Sequence, residues 1–222
     1  MKKIFNMRKL IAILLTIALI PAIFAQDAEK GDKKSREILD KVSQKTESYK
    51  SFKAEFTYKM QNKEAGIDES KDGLLIVSGD KYNLKIAGQE IICDGTTVWT
   101  YIEDAEEVQV NSVEDNDETI TPNNLFSSYQ KDYKSKFVRE TFQYGTDVYV
   151  IDMTPLEGKN FSKVRIIIDK DKLEILDFTI FDNSGSSYSY VINKFIPDVE
   201  VSDSDFTFNP ADYPDVEVVD MR

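Results

Sequence analysis

The sequence predicts a mainly β fold of the α+β class: an unclosed antiparallel half-barrel of about eleven strands, stoppered by a lid of a few α-helices. Three observations predict it. From Ser51 onward the apolar residues recur with period two, the spacing of a pleated strand with one wet face. The joints between these runs are short and carry turn chemistry, such as Gly79-Asp80, Ala87-Gly88 and Asp94-Gly95. Such joints exclude a parallel sheet, whose strands need crossover connections. Only one long stretch has a convincing helical period, so too few helices exist to cover a large sheet, and the inner face must curl onto itself.

The elements follow in order. Lys2, Lys3, Arg8 and Lys9 precede the uninterrupted apolar run Leu10 to Ile20, then Pro21 and Ala25. A basic start, a short apolar run and a small residue form a secretory leader, expected to be cleaved after Ala25. The run is too short for a bilayer core about 30 Å thick. Cleavage removes those four cations and takes the net charge from −12 to −16. Residues 26–34 are charged and read as a flexible lead. The single domain is expected over 35–222. Ser35 to Lys50 places Ile38, Leu39, Val42, Thr46 and Tyr49 on one helical stripe. Then Phe52, Ala54, Phe56, Tyr58 and Met60 alternate with Lys53, Glu55, Thr57 and Lys59.

Further strands are expected over 73–78, 81–87, 90–94, 97–102 and 107–111. The segment 113–121 reads as an acidic loop, and Pro122 opens a short helix with Leu125, Phe126 and Tyr129 on its apolar side. Strands resume over 136–142, 148–153, 163–169, 174–181 and 187–195, with 206–208 and 216–219 as terminal extended pieces.

Composition excludes several chemistries. The 222 residues include no His, which removes Ser-His-Asp and Cys-His nucleophile pairs and His-ligated metals. One cysteine, Cys93, closes no internal disulfide and reads as a small buried hydrophobe within Ile91-Ile92-Cys93. A net charge of −12 opposes nucleic-acid binding. The acidic pairs Glu103-Asp104, Glu106-Glu107 and Glu114-Asp115 read as a solvated rim, since nothing suggests the burial an acid/base pair needs. Asp169, Asp171 and Glu174 lack the Gly and twelfth-position Glu of a calcium loop and read as a turn. Ser184-Gly185-Ser186-Ser187 has no nucleophile elbow. The chain is therefore expected to be a binding protein, without catalytic residues, metal or cofactor.

The positive signal is apolar. Phe52, Phe56, Tyr58, Met60, Tyr82, Leu84, Ile86, Trp99 and Tyr101 are spaced to line one sheet face. Each alone reads as core. Together they form a long apolar wall with few helices to fill it, as a lipid-binding cleft requires. Ile38, Leu39, Val42, Leu125 and Phe126 are the candidate lid residues.

From Ser35 to Arg222 the sequence resembles the LolA-type periplasmic carriers of outer-membrane lipoproteins. The resemblance lies in the opening helix running into Tyr49-Lys50-Ser51-Phe52-Lys53-Ala54-Glu55-Phe56. It continues in Cys93-Asp94-Gly95-Thr96-Thr97-Val98-Trp99-Thr100-Tyr101, similar to the family's D-G-x-x-[LV]-W-x-Y hairpin, and in Thr121-Pro122 before Leu125. It ends in Phe206-Thr207-Phe208-Asn209-Pro210 and Val216 to Arg222. The resemblance implies a monomer in the periplasm whose apolar cavity holds lipoprotein acyl chains. It implies acylated lipoproteins and an inner-membrane ABC transporter complex as partners, an outer-membrane receptor as a further candidate, and transient membrane contact.

The family often carries an Arg-Pro pair whose Arg latches the lid. Here Ser78 stands in the Arg position, and Tyr82 matches an aromatic residue important for cargo transfer. Three alternatives stay open: a sensor of mislocalised lipoproteins, a carrier of another amphiphile such as a lipid or pigment intermediate, and a filled barrel that binds no lipid.

Overall fold

The computed structural model describes residues 32–113, 132–156, 159–213 and 216–222. The expected leader, most of the expected lead, and Leu125 and Phe126 lie outside the described residues.

A single α-helix, α1 (Lys33–Ser48), occurs among the described residues. It begins ahead of the expected Ser35 because Asp32 caps it: the Asp32 carboxylate accepts from the Ser35 N–H at 2.7 Å. The helix ends where Tyr49 turns extended at ψ 135.

The strands are β1 (Phe52–Asn62), β2 (Ile67–Ser78), β3 (Lys81–Ile86), β4 (Gln89–Cys93), β5 (Thr97–Ile102), β6 (Glu107–Ser112), β7 (Tyr133–Gln143), β8 (Thr146–Pro155), β9 (Phe161–Asp169), β10 (Ile175–Asp182), β11 (Ser187–Pro197) and β12 (Glu217–Asp220). They form one 12-stranded sheet in the order β12-β6-β5-β4-β3-β2-β1-β11-β10-β9-β8-β7. β12 and β7 are the two edges, so the sheet is not closed.

Short turns make neighbouring strands antiparallel, as the hairpin chemistry predicts. The Ala87-Gly88 turn takes φ 51 and φ 79 at its two residues, the left-handed geometry that twists with the flanking strands. Asp169 is buried in its turn, where Oδ1 accepts from the N–H groups of Asp171 and Lys172 at 2.9 and 2.7 Å. Its carboxylate thus serves the backbone.

Three details differ from the sequence expectation. β2 begins at Ile67 and not Gly73, because its charged first half, Asp68 to Asp72, extends the β1 hairpin in solvent. Residues 203–206 form a 3₁₀ turn under a Ser202–Asp205 capping box, which shortens the extended piece expected over 206–208. β12 pairs with β6 in parallel, the one exception to the antiparallel pattern among these pairings. The long return from Pro197 toward Glu217 supplies the crossover a parallel pair needs.

The main core lies between α1 and the sheet. Ile38, Leu39 and Val42 pack on Tyr133, Ile151, Met153, Val164, Ile166 and Ile168 from β7, β8 and β9. On the opposite face, Phe208 covers Ile92, Val108 and Val110, with Trp99, Tyr101, Tyr213 and Val216 packed around them.

Candidate functional site

The face that carries α1 is the inner face, and the strand registers trace it across the sheet. Phe56 of β1 opposes Ile192 of β11 and Gly73 of β2. Gly73 opposes Ile86, Leu75 opposes Leu84, and Val77 opposes Tyr82. Tyr82 opposes Cys93, Leu84 opposes Ile91, and Cys93 opposes Val98. Directly opposed residues share a face. The inner face therefore runs from the helix-covered strands through Phe178, Tyr190, Tyr58 and Phe56 to Leu75, Val77, Tyr82, Leu84, Ile86 and Ile91.

The helix occupies only one half of this face. Under α1, Ile151, Met153, Val164, Ile166 and Ile168 are 0% exposed. The Asp32 carboxylate also accepts from the Phe137 N–H, the Asp32 N–H donates to the Ser135 carbonyl, and Ser35 Oγ meets Ser135 Oγ at 2.7 Å in a buried pair. These bonds moor the helix start to β7. At the other end Lys45 Nζ donates to the Lys172 carbonyl and to Glu174 Oε1, in the turn between β9 and β10. The helix is pinned at both ends over β7–β10.

The remaining half, on β1–β4, carries side chains of the same kind with a different fate. Tyr58, Met60, Leu75, Tyr82, Leu84, Ile86 and Ile91 are all half-buried. Among the described residues none of them belongs to a core cluster.

Aromatic rings mark the boundary between the halves. Phe178 stacks on Tyr190 with centroids 4.4 Å apart and planes 7° off parallel. Tyr190 in turn meets Tyr58 at 5.4 Å and Phe56 at 5.8 Å. Burial pushes the Tyr190 phenol up to about 12, with Tyr58 and Tyr188 adding to it. Burial likewise raises Tyr82 to about 12, Cys93 adding a smaller part. Both phenols stay neutral at physiological pH, as an apolar surface requires. At the far end, Phe195 joins Phe52 at 5.4 Å and Tyr49 at 5.6 Å, linking the helix exit to β1.

The structure brings Phe52, Phe56, Tyr58, Met60, Tyr82, Leu84 and Ile86 onto this one face, with Ile38, Leu39 and Val42 above its other half. It does not bring Trp99 and Tyr101 there. Trp99 opposes Ile92, and Ile92 opposes Asn83, a register one residue out of phase with Tyr82. Trp99 packs in the cluster around Phe208, and Tyr101 meets the Tyr213 ring at 4.8 Å. Both pack against the core of the outer face, beside Phe208 and Tyr213 of the C-terminal segment, so their place in the expected cavity wall is corrected.

Residues that sequence reading missed are Leu75 and Ile91, and on β11 Tyr190 and Ile192, all on the inner face. Leu74-Leu75-Ile76-Val77 is apolar on both parities, so alternation there could not choose a face. In β11 the register shifts opposite Glu55/Phe56, so Phe195 and Ile192 both point inward although their numbers differ in parity.

Ser78 sits beside the junction of α1 and β1, its Oγ donating to the Lys50 carbonyl at 3.4 Å. Cys93 is buried, and burial raises its thiol pKa, which fits the packing role.

The model of the family described as outer membrane lipoprotein carrier protein LolA matches residues 47–209. No curated protein matches the sequence. Among solved structures, an uncharacterized conserved protein from Thermus thermophilus is similar with a TM-score of 0.59 at 13% identity, covering 85% of this chain and 99% of that one. A LolA superfamily protein from Nitrosomonas europaea is similar at 13% identity and TM-score 0.42, covering 78% of this chain and 97% of that one. The lipoprotein LppX of Mycobacterium tuberculosis is similar at 13% identity and TM-score 0.47, covering 76% and 98%. At such identities the likeness is one of fold.

Proposed function

The chain belongs to the LolA family of outer membrane lipoprotein carrier proteins, and we propose that it is an exported periplasmic carrier that holds lipoprotein acyl chains on the half of its inner face that α1 does not cover. One observation carries the reading: Leu75, Tyr82, Leu84, Ile86 and Ile91 form a continuous half-buried apolar surface beside a half whose centre, from Ile151 to Ile168, α1 seals. Contiguous exposed apolar surface on a soluble domain marks a binding site. Its chemistry is that of an alkyl chain, because on this wall the aromatic and branched side chains carry no charge and its phenols are neutral.

The energy is sufficient. Burial of an acyl chain contributes about 0.8 kcal/mol per methylene, so about ten methylenes supply about 8 kcal/mol, a micromolar affinity. Complete burial of several chains would prevent release, so a carrier buries each chain in part. The force is non-directional, so chain length governs affinity more than headgroup does. The function is binding and transfer, with no bond made or broken. The partners are acylated lipoproteins, an inner-membrane ABC transporter complex that loads them, and a receptor or the outer membrane itself that takes them. A cleaved leader ending near Ala25 and one carrier domain complete the proposal.

The test is release. Purified mature protein is added to spheroplasts that make a tagged acylated lipoprotein, and the supernatant is examined for a soluble one-to-one complex. Cargo in the supernatant supports the carrier. Cargo left in the membrane while the purified protein contains bound lipid moves the function to another amphiphile. Neither release nor bound lipid contradicts both.

A further inference from the structure

Gly73 stands in the interior of β2, with no turn near it and an ordinary strand φ. Glycine there weakens a strand by roughly 0.5–1 kcal/mol relative to alanine, so a packing reason is expected. The structure supplies one. Gly73 is the direct partner of Phe56, and the far end of the Phe56 ring fills the space a side chain on Gly73 would take. A Cβ on Gly73 would sit 3.0 Å from Phe56 Cε1 and closer still to Cζ and Cε2. Phe56 is only 4% exposed, and the Tyr190 ring lies 5.8 Å from it. A Cβ on Gly73 therefore forces the end of this ring to shift away from the strand.

This pair sits between the sealed half and the open half. Phe178, Tyr190 and Phe56 form the aromatic row at which the helix-packed core ends. Beyond it lie Ile86, opposite Gly73, and Leu84, opposite Leu75. We propose that Gly73 is a specificity-determining residue: by leaving room for the end of the Phe56 ring it lowers the floor of the binding surface at its inner end, and so sets the longest alkyl chain the protein accepts. This rests on the acyl-chain reading of the inner face.

The experiment competes a homologous series of saturated fatty acids, from about eight to about twenty carbons, against a fluorescent fatty acid on the wild-type protein and on Gly73→Ala. The atom that the new methyl meets is the end of a side chain, so the variant is expected to fold, which its thermal unfolding checks. Gly73→Ala should lose about tenfold in affinity for the longest chains, equivalent to about two buried methylenes, and keep the affinity for the shortest. Phe56→Leu added to Gly73→Ala should restore the long chains. A second variant, Phe56→Ala with Gly73 kept, should shift tolerance toward longer chains, which keeps the test decisive if Gly73→Ala does not fold. An unchanged length profile, or an equal loss at every length, overturns the role of Gly73. A wild-type protein that binds no member of the series overturns the acyl-chain reading itself, which separates the two failures.

Discussion

The two halves of the inner face are built from the same kinds of residue and end in opposite states. Ile151, Met153, Val164, Ile166 and Ile168 are wholly buried because α1 lies on them, capped at Asp32 and clamped through Lys45. Leu75, Leu84, Ile86 and Ile91 are half-exposed on strands that continue the same surface. The difference is one of coverage. Apolar composition and alternation measure how much surface a strand offers to burial, and the topology decides which part a single helix reaches. A fold with one described helix and twelve strands leaves sheet face that this helix does not reach, and that remainder is the surface proposed for binding.

This contrast is broken most severely in the sealed half. Leu39 is 1% exposed at the centre of the helix contact, so Leu39→Ala should cost about 3 kcal/mol, read as a shift in the urea midpoint. The corresponding change in the open half should behave differently. Leu84→Glu puts a charge on the proposed alkyl surface and should weaken fatty-acid binding by about thirtyfold, close to 2 kcal/mol, with a smaller loss of stability. Trp99→Leu, on the outer face, should leave binding unchanged. If Leu84→Glu binds normally and Trp99→Leu does not, the assignment of faces is wrong.

Next in size is the helix mooring. Asp32→Ala removes the cap and the acceptor for the Phe137 N–H, and should cost about 1–2 kcal/mol with faster hydrogen exchange in the first turn of α1. The smallest effect tests burial away from both halves. Asp177 is buried on the outer face, and burial raises its pKa although Tyr144 and Thr179 donate to it. A carboxyl whose folded pKa is raised favours the folded state below its unfolded pKa, and that stability is lost as pH rises through the folded value. Asp177→Asn should therefore raise the melting temperature at neutral pH, and the gain should vanish below the ordinary aspartate range near 3.8.

Much of this architecture is legible in the sequence, for reasons that also mark its limits. The stripe Ile38, Leu39, Val42 and the alternation from Phe52 to Met60 each follow from one local period, and the structure contains both. The family motifs agree with the sheet topology found. Which face a strand presents is another matter, since it depends on how each turn carries the phase forward. Tyr82 pairs with Cys93 and Cys93 with Val98, so Val98 and not Trp99 continues the inner face. β5 is apolar on both parities because the C-terminal segment covers its outer side, through Phe208 and Tyr213. No local pattern could reveal that distant cover. The first half of β2 escaped notice for the reverse reason: Asp68 to Asp72 pair with β1 while exposed, with neither face buried.

The most direct test of the central claim is photo-crosslinking with a fatty acid that carries a diazirine at its methyl end, followed by peptide mapping of the labelled protein. Adducts on β1–β4, at inner-face residues such as Leu75, Leu84 and Ile91, are the predicted result. Adducts confined to the outer face around Tyr101 and Tyr213, or to β8 and β9 beneath α1, would contradict it.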